Sequence, residues 1–372
     1  MGKGPVQTPA IGFGIAFQLA PTAVQPIYVI YDGYNIMLSN GFLVAAVHKI
    51  NCWIVVVLGI FLNSLLLWLI KKRSSKELEL YSKILRQACL IDFLSLFVIA
   101  AVQPIYVIYD GYNIMLSNGF LGWLAFPYSS NGMALWFFCF YFAIISNCVP
   151  FVYRYMVLCR RQMISALMYL SMLLVCATLL SVYIACLIWS TYPDEKKMHQ
   201  INASALFDYL NFEEDSSPRS ISLLAKADSF KWAITCGYIV MLEMLSYSII
   251  ITCAIKIKRF VSNASIHETG SKKMAEVNKQ LTFILLFQTV LPIAELSLSL
   301  ICIFTSTMLA DSSYSLSYFS AFLTAPMHWI PVINPLITIS VVKSYRNFFR
   351  SKKQVVSMTH NTGRQSGLTK NS

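Results

Sequence analysis

Apolar residues gather into seven long runs along this chain: Ile50 to Ile70, Ile84 to Ile108, Ser129 to Tyr153, Ser165 to Trp189, Trp232 to Ile255, Leu281 to Phe304 and Leu316 to Val342. Each run reaches the length of about 20 residues that a helix needs to cross a bilayer. The pattern predicts an all-α membrane protein whose seven transmembrane helices form one bundle. An odd number of crossings puts the two termini on opposite sides. Composition agrees, since 57% of the 372 residues are hydrophobic and only 12% charged, too apolar for one water-soluble core.

Basic residues fix which side is which, because cytoplasmic links carry the positive excess. The links after runs one, three and five, together with the tail, hold 22 of the 29 Lys and Arg, within Lys71 to Arg86, Arg154 to Arg161, Lys256 to Lys279 and Lys343 to Lys370. The other side holds 7. Acidic residues lean the opposite way, with Asp194, Glu195, Asp208, Glu213, Glu214, Asp215 and Asp228 in the long link after run four. The amino terminus is therefore expected outside and the tail in the cytoplasm. The net charge of +12 is then a topology signal plus attraction to anionic inner-leaflet lipid; the basic residues are too dispersed for a nucleic-acid surface. All ten cysteines lie in or near apolar runs, and no Cys/His grouping has metal-ligand spacing. Neither a metal nor another cofactor is expected, and no catalytic constellation suggests an enzyme.

Residues Ala23 to Leu43 recur without one change as Ala101 to Leu121. Structural repeats diverge while keeping their pattern, so perfect identity marks a recent exon duplication or an error in the gene model. The second copy is expected to complete span two and run into its outer loop. The first, in which Asp32, Gly33 and Asn35 read as a watery turn, is not expected to cross the membrane. A signal-peptide reading is poor, since the basic region is only Lys3 and the apolar stretch is broken by Gln18 and Pro21. Residues 1–47 are expected to form an extracellular extension and 351–372 a disordered tail. The acidic link carries Asn202-Ala203-Ser204, a glycosylation acceptor if luminal. Asn263-Ala264-Ser265 has the same form in a cytoplasmic link and is expected to stay bare.

Polar residues inside the membrane are informative because an ionised side chain there costs about 3 kcal/mol. At about 1.5 Å per residue, Asn63, Asp92 and Asn334 share a depth of roughly 10–12 Å from the cytoplasmic ends. They form either separate interhelical hydrogen bonds or one coupled switch. Glu243, Glu295 and His328 lie roughly 18–22 Å deep by the same rise, where an outward-facing pocket would sit. Trp136, Phe137, Phe140 and Tyr141 supply apolar walls there, either as packing or as the lining of a small-molecule site. Pro326, Pro331 and Pro335 in span seven offer a bend. Lys343 to Arg350 reads as a short amphipathic helix on the inner leaflet, which makes membrane lipid a partner.

Several motifs resemble the nematode chemosensory serpentine receptors of the Str superfamily, class delta. They are Phe61-Leu62-Asn63-Ser64-Leu65-Leu66-Leu67, Lys71-Lys72-Arg73-Ser74-Ser75-Lys76, Tyr81, Pro150-Phe151-Val152-Tyr153-Arg154-Tyr155, Leu291-Pro292-Ile293, and Asn334-Pro335-Leu336 followed by Tyr345-Arg346. The likeness runs from about Val47 to Arg350, so 48–350 is the expected receptor domain. It implies a G-protein-coupled receptor for small environmental chemicals, with a heterotrimeric G protein as partner. It also places Arg154, flanked by Tyr153 and Tyr155, where rhodopsin-like receptors carry their Asp-Arg-Tyr arginine. The chain departs from that pattern in having Tyr153 before Arg154, Thr338 three residues beyond Pro335, and no cysteine in the second outer link. A seven-span transporter or ligand-gated channel is the rival reading; no inverted repeat of the kind that builds midplane transport sites is present.

Overall fold

The computed structural model describes residues 27–31, 34–38, 40–73, 79–109, 111–124, 128–162, 164–191, 221–267, 325–342 and 345. Met1–Ser39 and Asn40–Ser372 form two separate compact units. In the first, β1 (Ile27–Tyr31) pairs antiparallel with β2 (Tyr34–Leu38), Ile27 opposite Leu38. The second begins with α1 (Asn40–Arg73) and continues through α2 (Glu79–Val102), β3 (Pro104–Tyr109), β4 (Tyr112–Ser117) and a 3-10 turn (Phe120–Trp123). Then follow α3 (Tyr128–Ile145), α4 (Cys148–Cys159), α5 (Ala166–Thr191), β5 (Ile221–Lys226) and α6 (Phe230–His267). A second 3-10 turn (Ala325–Trp329) leads into α7 (Ile330–Val341).

Five helical segments among the described residues are long and apolar enough to cross a membrane, covering expected spans one to five. Expected span six and the first part of span seven lie outside the described residues. Helix α1 packs on α2 and α7, α2 on α3, α4 on α6, and α5 on α3 and α6. Their outer faces carry large apolar side chains, such as Phe61, Phe97 and Leu167 at 62%, 69% and 76% exposure. In water such faces would be unstable; against lipid tails they need no cover.

Span two ends earlier than the apolar run implies. Gln103 turns left-handed at φ 46°, because a residue before proline avoids the helical region and Pro104 has no amide to continue the ladder. The Gln103 amide still reaches the Ile99 carbonyl at 2.9 Å, and the Val102 carbonyl accepts from the Gly119 amide at 2.9 Å and the Ser117 hydroxyl at 2.7 Å. What was expected to complete the span is a hairpin instead. β3 pairs with β4, and β4 with β5, in an antiparallel sheet. Both copies of the repeated segment thus form the same hairpin, Ile105 facing Leu116 as Ile27 faces Leu38. After the strands they part: Asn40 opens a helix, whereas Gly119 and Gly122 fold back so closely that a Cβ would lie 2.3 Å from the Ala101 carbonyl oxygen and 2.0 Å from that of Ser117.

Span three is broken. Pro150 cannot donate to the Ser146 carbonyl, so the Val149 amide takes it at 3.0 Å and the turn tightens at Ser146 and Asn147. The Ile145 carbonyl loses its helical partner and accepts the Ser246 hydroxyl of α6 at 3.2 Å. Pro335 has the same effect in α7, freeing the Pro331 carbonyl, which accepts the Asn63 carboxamide of α1 at 2.8 Å. Unpaired backbone inside a bilayer is costly. Asn63→Ala should therefore lower stability by roughly 1–3 kcal/mol, the cost of a stranded acceptor. In a Pro335→Ala background, where residue 335 regains its amide, the same change should cost measurably less. Thermal unfolding of the four purified variants in detergent gives this cycle; equal costs in both backgrounds would contradict the account.

Candidate functional site

Apolar side chains from six elements surround a cavity of about 740 Å³, mouth included. Pro104, Ile105 and Tyr106 of β3 and Met115 of β4 line it at the hairpin end. Met133, Trp136, Phe137, Phe140 and Tyr141 come from α3, Tyr183 from α5, and Trp232, Cys236 and Ile239 from α6; Met327 enters from the 3-10 turn before α7. The α6 residues recur at intervals of four and three, so one helical stripe faces the space. A cross-strand bond from the Tyr106 hydroxyl to the Asn113 carboxamide steadies the hairpin wall.

The walls are joined ring to ring. Trp136 stacks on Phe140 at 5.4 Å, Phe140 meets Tyr141 edge-on at 5.0 Å, and Tyr141 meets Tyr183 edge-on at 5.1 Å. Behind Trp136, at 5.8 Å, lies the ring of His328, which in turn contacts His48 of α1 at 5.1 Å. Offset and edge-to-face aromatic pairs each contribute about 0.5–1.5 kcal/mol beyond their burial, and these ring contacts run unbroken from α1 to α5.

Of the residues expected to bind ligand, Trp136 lines the cavity. His328 is fully buried one layer behind it, with Nδ1 donating to the Ala325 carbonyl at 3.3 Å. Glu243 continues the α6 stripe one turn beyond Ile239; it is 1% exposed, interacts electrostatically with Tyr141 and Tyr183, and its Oε2 has no hydrogen-bond partner among the described residues. Glu295 and Asn202 lie outside the described residues. Hydropathy alone reads the run to Ile108 as helix, which hides the hairpin lining. Asp110-Gly111 between alternating β-branched and aromatic residues was the available signal, since that dipeptide favours a two-residue hairpin turn, and Gly111 has φ 72°.

The expected polar layer does gather α1, α2 and α7. Asn334 donates to Asp92 at 3.3 Å, and Asn63 reaches Pro331 one turn away on α7. Thr338 caps the Asn334 carbonyl at 2.9 Å. Arg154, the first residue past the expected end of span three at Tyr153, lies within a helix instead: α4 continues to Cys159, and Arg154 is 1% exposed. Tyr153 packs edge-on against Tyr169 at 5.5 Å, while Lys256 of α6 lies 5.3 Å over the ring of Tyr155. Of the expected amphipathic helix only Tyr345 is described; it is buried in the apolar cluster of Leu66, Leu69, Ile84 and Leu85.

Residues 48–351 match the family model for the serpentine type 7TM GPCR chemoreceptor Srd. No curated protein matches the chain. Among solved structures, squid rhodopsin superposes with a TM-score of 0.58 at 13% identity, covering 90% of this chain and 92% of that one. That likeness concerns the fold alone.

The cavity should admit a small polar thiol reagent to Cys236. Mass spectrometry of the purified protein should show an adduct that Cys236→Ser abolishes and Ile239→Trp, which fills the space, slows. Labelling of Cys236 at an unchanged rate in Ile239→Trp would mean that the reagent does not travel through the cavity.

Proposed function

Because the chain belongs to the Srd family of serpentine G-protein-coupled chemoreceptors, we propose that the aromatic cavity under the β3-β4 hairpin is where this receptor takes its ligand. The observation that carries this reading is the cavity itself, walled by aromatic and apolar side chains with few polar groups, the lining that small-molecule sites share. Such a site suits a small, mainly apolar environmental molecule with one hydrogen-bonding group. Trp136 and Phe140 would hold the apolar body. Tyr141 and Tyr183 would answer the polar group, with Glu243 beneath them. Glu295 and His328 are further candidates for the same task.

The opposite end would face the G protein. Arg154 is the switch residue in this reading, with Tyr153 and Tyr155 as its flanks. Its burial in α4 withholds it from a cytoplasmic partner in this conformation, and movement of α6, which packs on α4, would uncover it. A ligand shifts such an equilibrium only through its different affinity for the two states. The Ser246 hydroxyl on the Ile145 carbonyl lies on α6 between cavity and Arg154, and Asn63, Asp92, Asn334 and Pro335 are the elements of α1, α2 and α7 that would repack. The receptor would stand in the plasma membrane of sensory cilia with its amino terminus and Asn202 outside, its basic links and tail inside against anionic lipid.

In cells with a G-protein readout, Ile239→Trp should raise the half-maximal agonist concentration roughly tenfold or more, the factor given by about 1.4 kcal/mol of lost contact, at unchanged surface level. Arg154→Ala should abolish signalling while agonist still binds. Arg154→Lys keeps the charge but lacks the planar fork of donors; normal signalling by that variant would remove the switch role. Loss of a glycan with Asn202→Gln, and none with Asn263→Gln, reports the orientation; the reverse result would invert it.

A further inference from the structure

The fold collects three metal-ligating side chains, two from α1 and one from the start of α7, of which the receptor reading uses only His328, and that as a further ligand candidate. His48 and Cys52 sit four residues apart on one face of α1, and His328 meets them from the 3-10 turn before α7; their donor atoms all lie within 4.8 Å of one another. All three are buried, at 4%, 0% and 0% exposure. A pair of ligands at positions i and i+4 of a helix is a recurrent way to grip a metal, and a third from another element closes the set.

The polar atoms are arranged as ligands. A carbonyl can only accept, so the 3.3 Å contact from His328 Nδ1 to the Ala325 carbonyl puts the ring proton on Nδ1 and leaves the lone pair on Nε2. Bonding of the far ring nitrogen to a carbonyl is how metal-binding histidines are oriented. His328 Nε2 has no hydrogen-bond partner among the described residues, an unusual buried acceptor to leave unmet, and His48 turns its Nδ1 toward the same space. Cys52 Sγ lies 3.6 Å from His48 Nδ1. Metal–nitrogen and metal–sulfur bonds of about 2.0–2.3 Å place donors about 3.5–3.8 Å apart in a trigonal set, so one contact already fits and modest rotation of His328 closes the others.

We propose that His48, Cys52 and His328 form a trigonal binding site for monovalent copper. Thiolate and imidazole suit a soft ion, and three donors complete the trigonal set that monovalent copper accepts. Charge decides between copper and zinc: copper replaces the Cys52 thiol proton, which leaves to water, and the complex of one thiolate, two neutral imidazoles and one univalent cation is neutral. Zinc would leave a net positive charge in an apolar interior, which is costly. The bound ion would tie α1 to the start of α7 and fix the His328 ring that backs Trp136.

The test uses the full chain, purified in detergent, loaded anaerobically with copper under ascorbate and passed through the competing chelator bicinchoninate. About one equivalent of copper should stay with the wild type. Cys52→Ser and His328→Ala should retain roughly tenfold less or lower, since loss of even an outer partner of a ligand costs that much. X-ray absorption on the loaded wild-type protein should show one sulfur and two nitrogens in the first shell, a result that holds whether or not the variants fold. Equal copper in the variants, a first shell without sulfur, or retention of zinc in place of copper would overturn the proposal.

Discussion

A backbone carbonyl in a bilayer has no water to turn to, and this bundle is organised around two that proline has stripped of their helical partners. Pro335 frees the carbonyl of Pro331 and Pro150 displaces the ladder around Ile145. In each case a side chain from a different helix supplies the missing donor, Asn63 from α1 and Ser246 from α6. A bend that would weaken a helix in isolation becomes a joint between helices. The joints also set positions elsewhere: the break after Ile145 separates the aromatic face of α3 from the segment holding Arg154, and the bond to Pro331 brings Asn63 beside the Asp92–Asn334 pair.

Spans one, four and five were legible because long apolar runs bounded by basic residues leave few alternatives. Asp92 and Asn334, which hydrogen-bond across α2 and α7, share a depth that follows from counting residues along a straight helix. Where counting failed, a local rule had been passed over. Ile105, Tyr106 and Val107 are as apolar as a helix needs, but Gln103-Pro104 ends the helix and Gly111, at φ 72°, turns the chain. Pro150 likewise divides a run that hydropathy alone treats as continuous. Arg154 was placed at a helix mouth because Tyr153 ends the apolar run, whereas the helix itself continues for another turn and carries the guanidinium inward.

Other features are not written locally at all. His48 and His328 are 280 residues apart, and nothing in the spacing of either marks them as neighbours. Their meeting depends on α1 lying against α7, which in turn rests on the Asn63 joint. The cavity has the same character: Met115, Tyr183 and Ile239 are ordinary apolar residues of their own elements, and only the packing of α3, α5, α6 and the hairpin leaves a space between them. Chemistry at such places is a property of the assembled fold.

The repeated segment takes one conformation in two places along the chain. Each copy closes its own cross-strand hydrogen bonds, in the same register, so its conformation travels with its twelve or so residues. A copied spanning helix would have changed the parity of crossings and turned over every segment after it. A copied hairpin is neutral in that respect. A β unit of this kind in a link leaves the number of crossings, and so the side on which each later segment lies, unchanged.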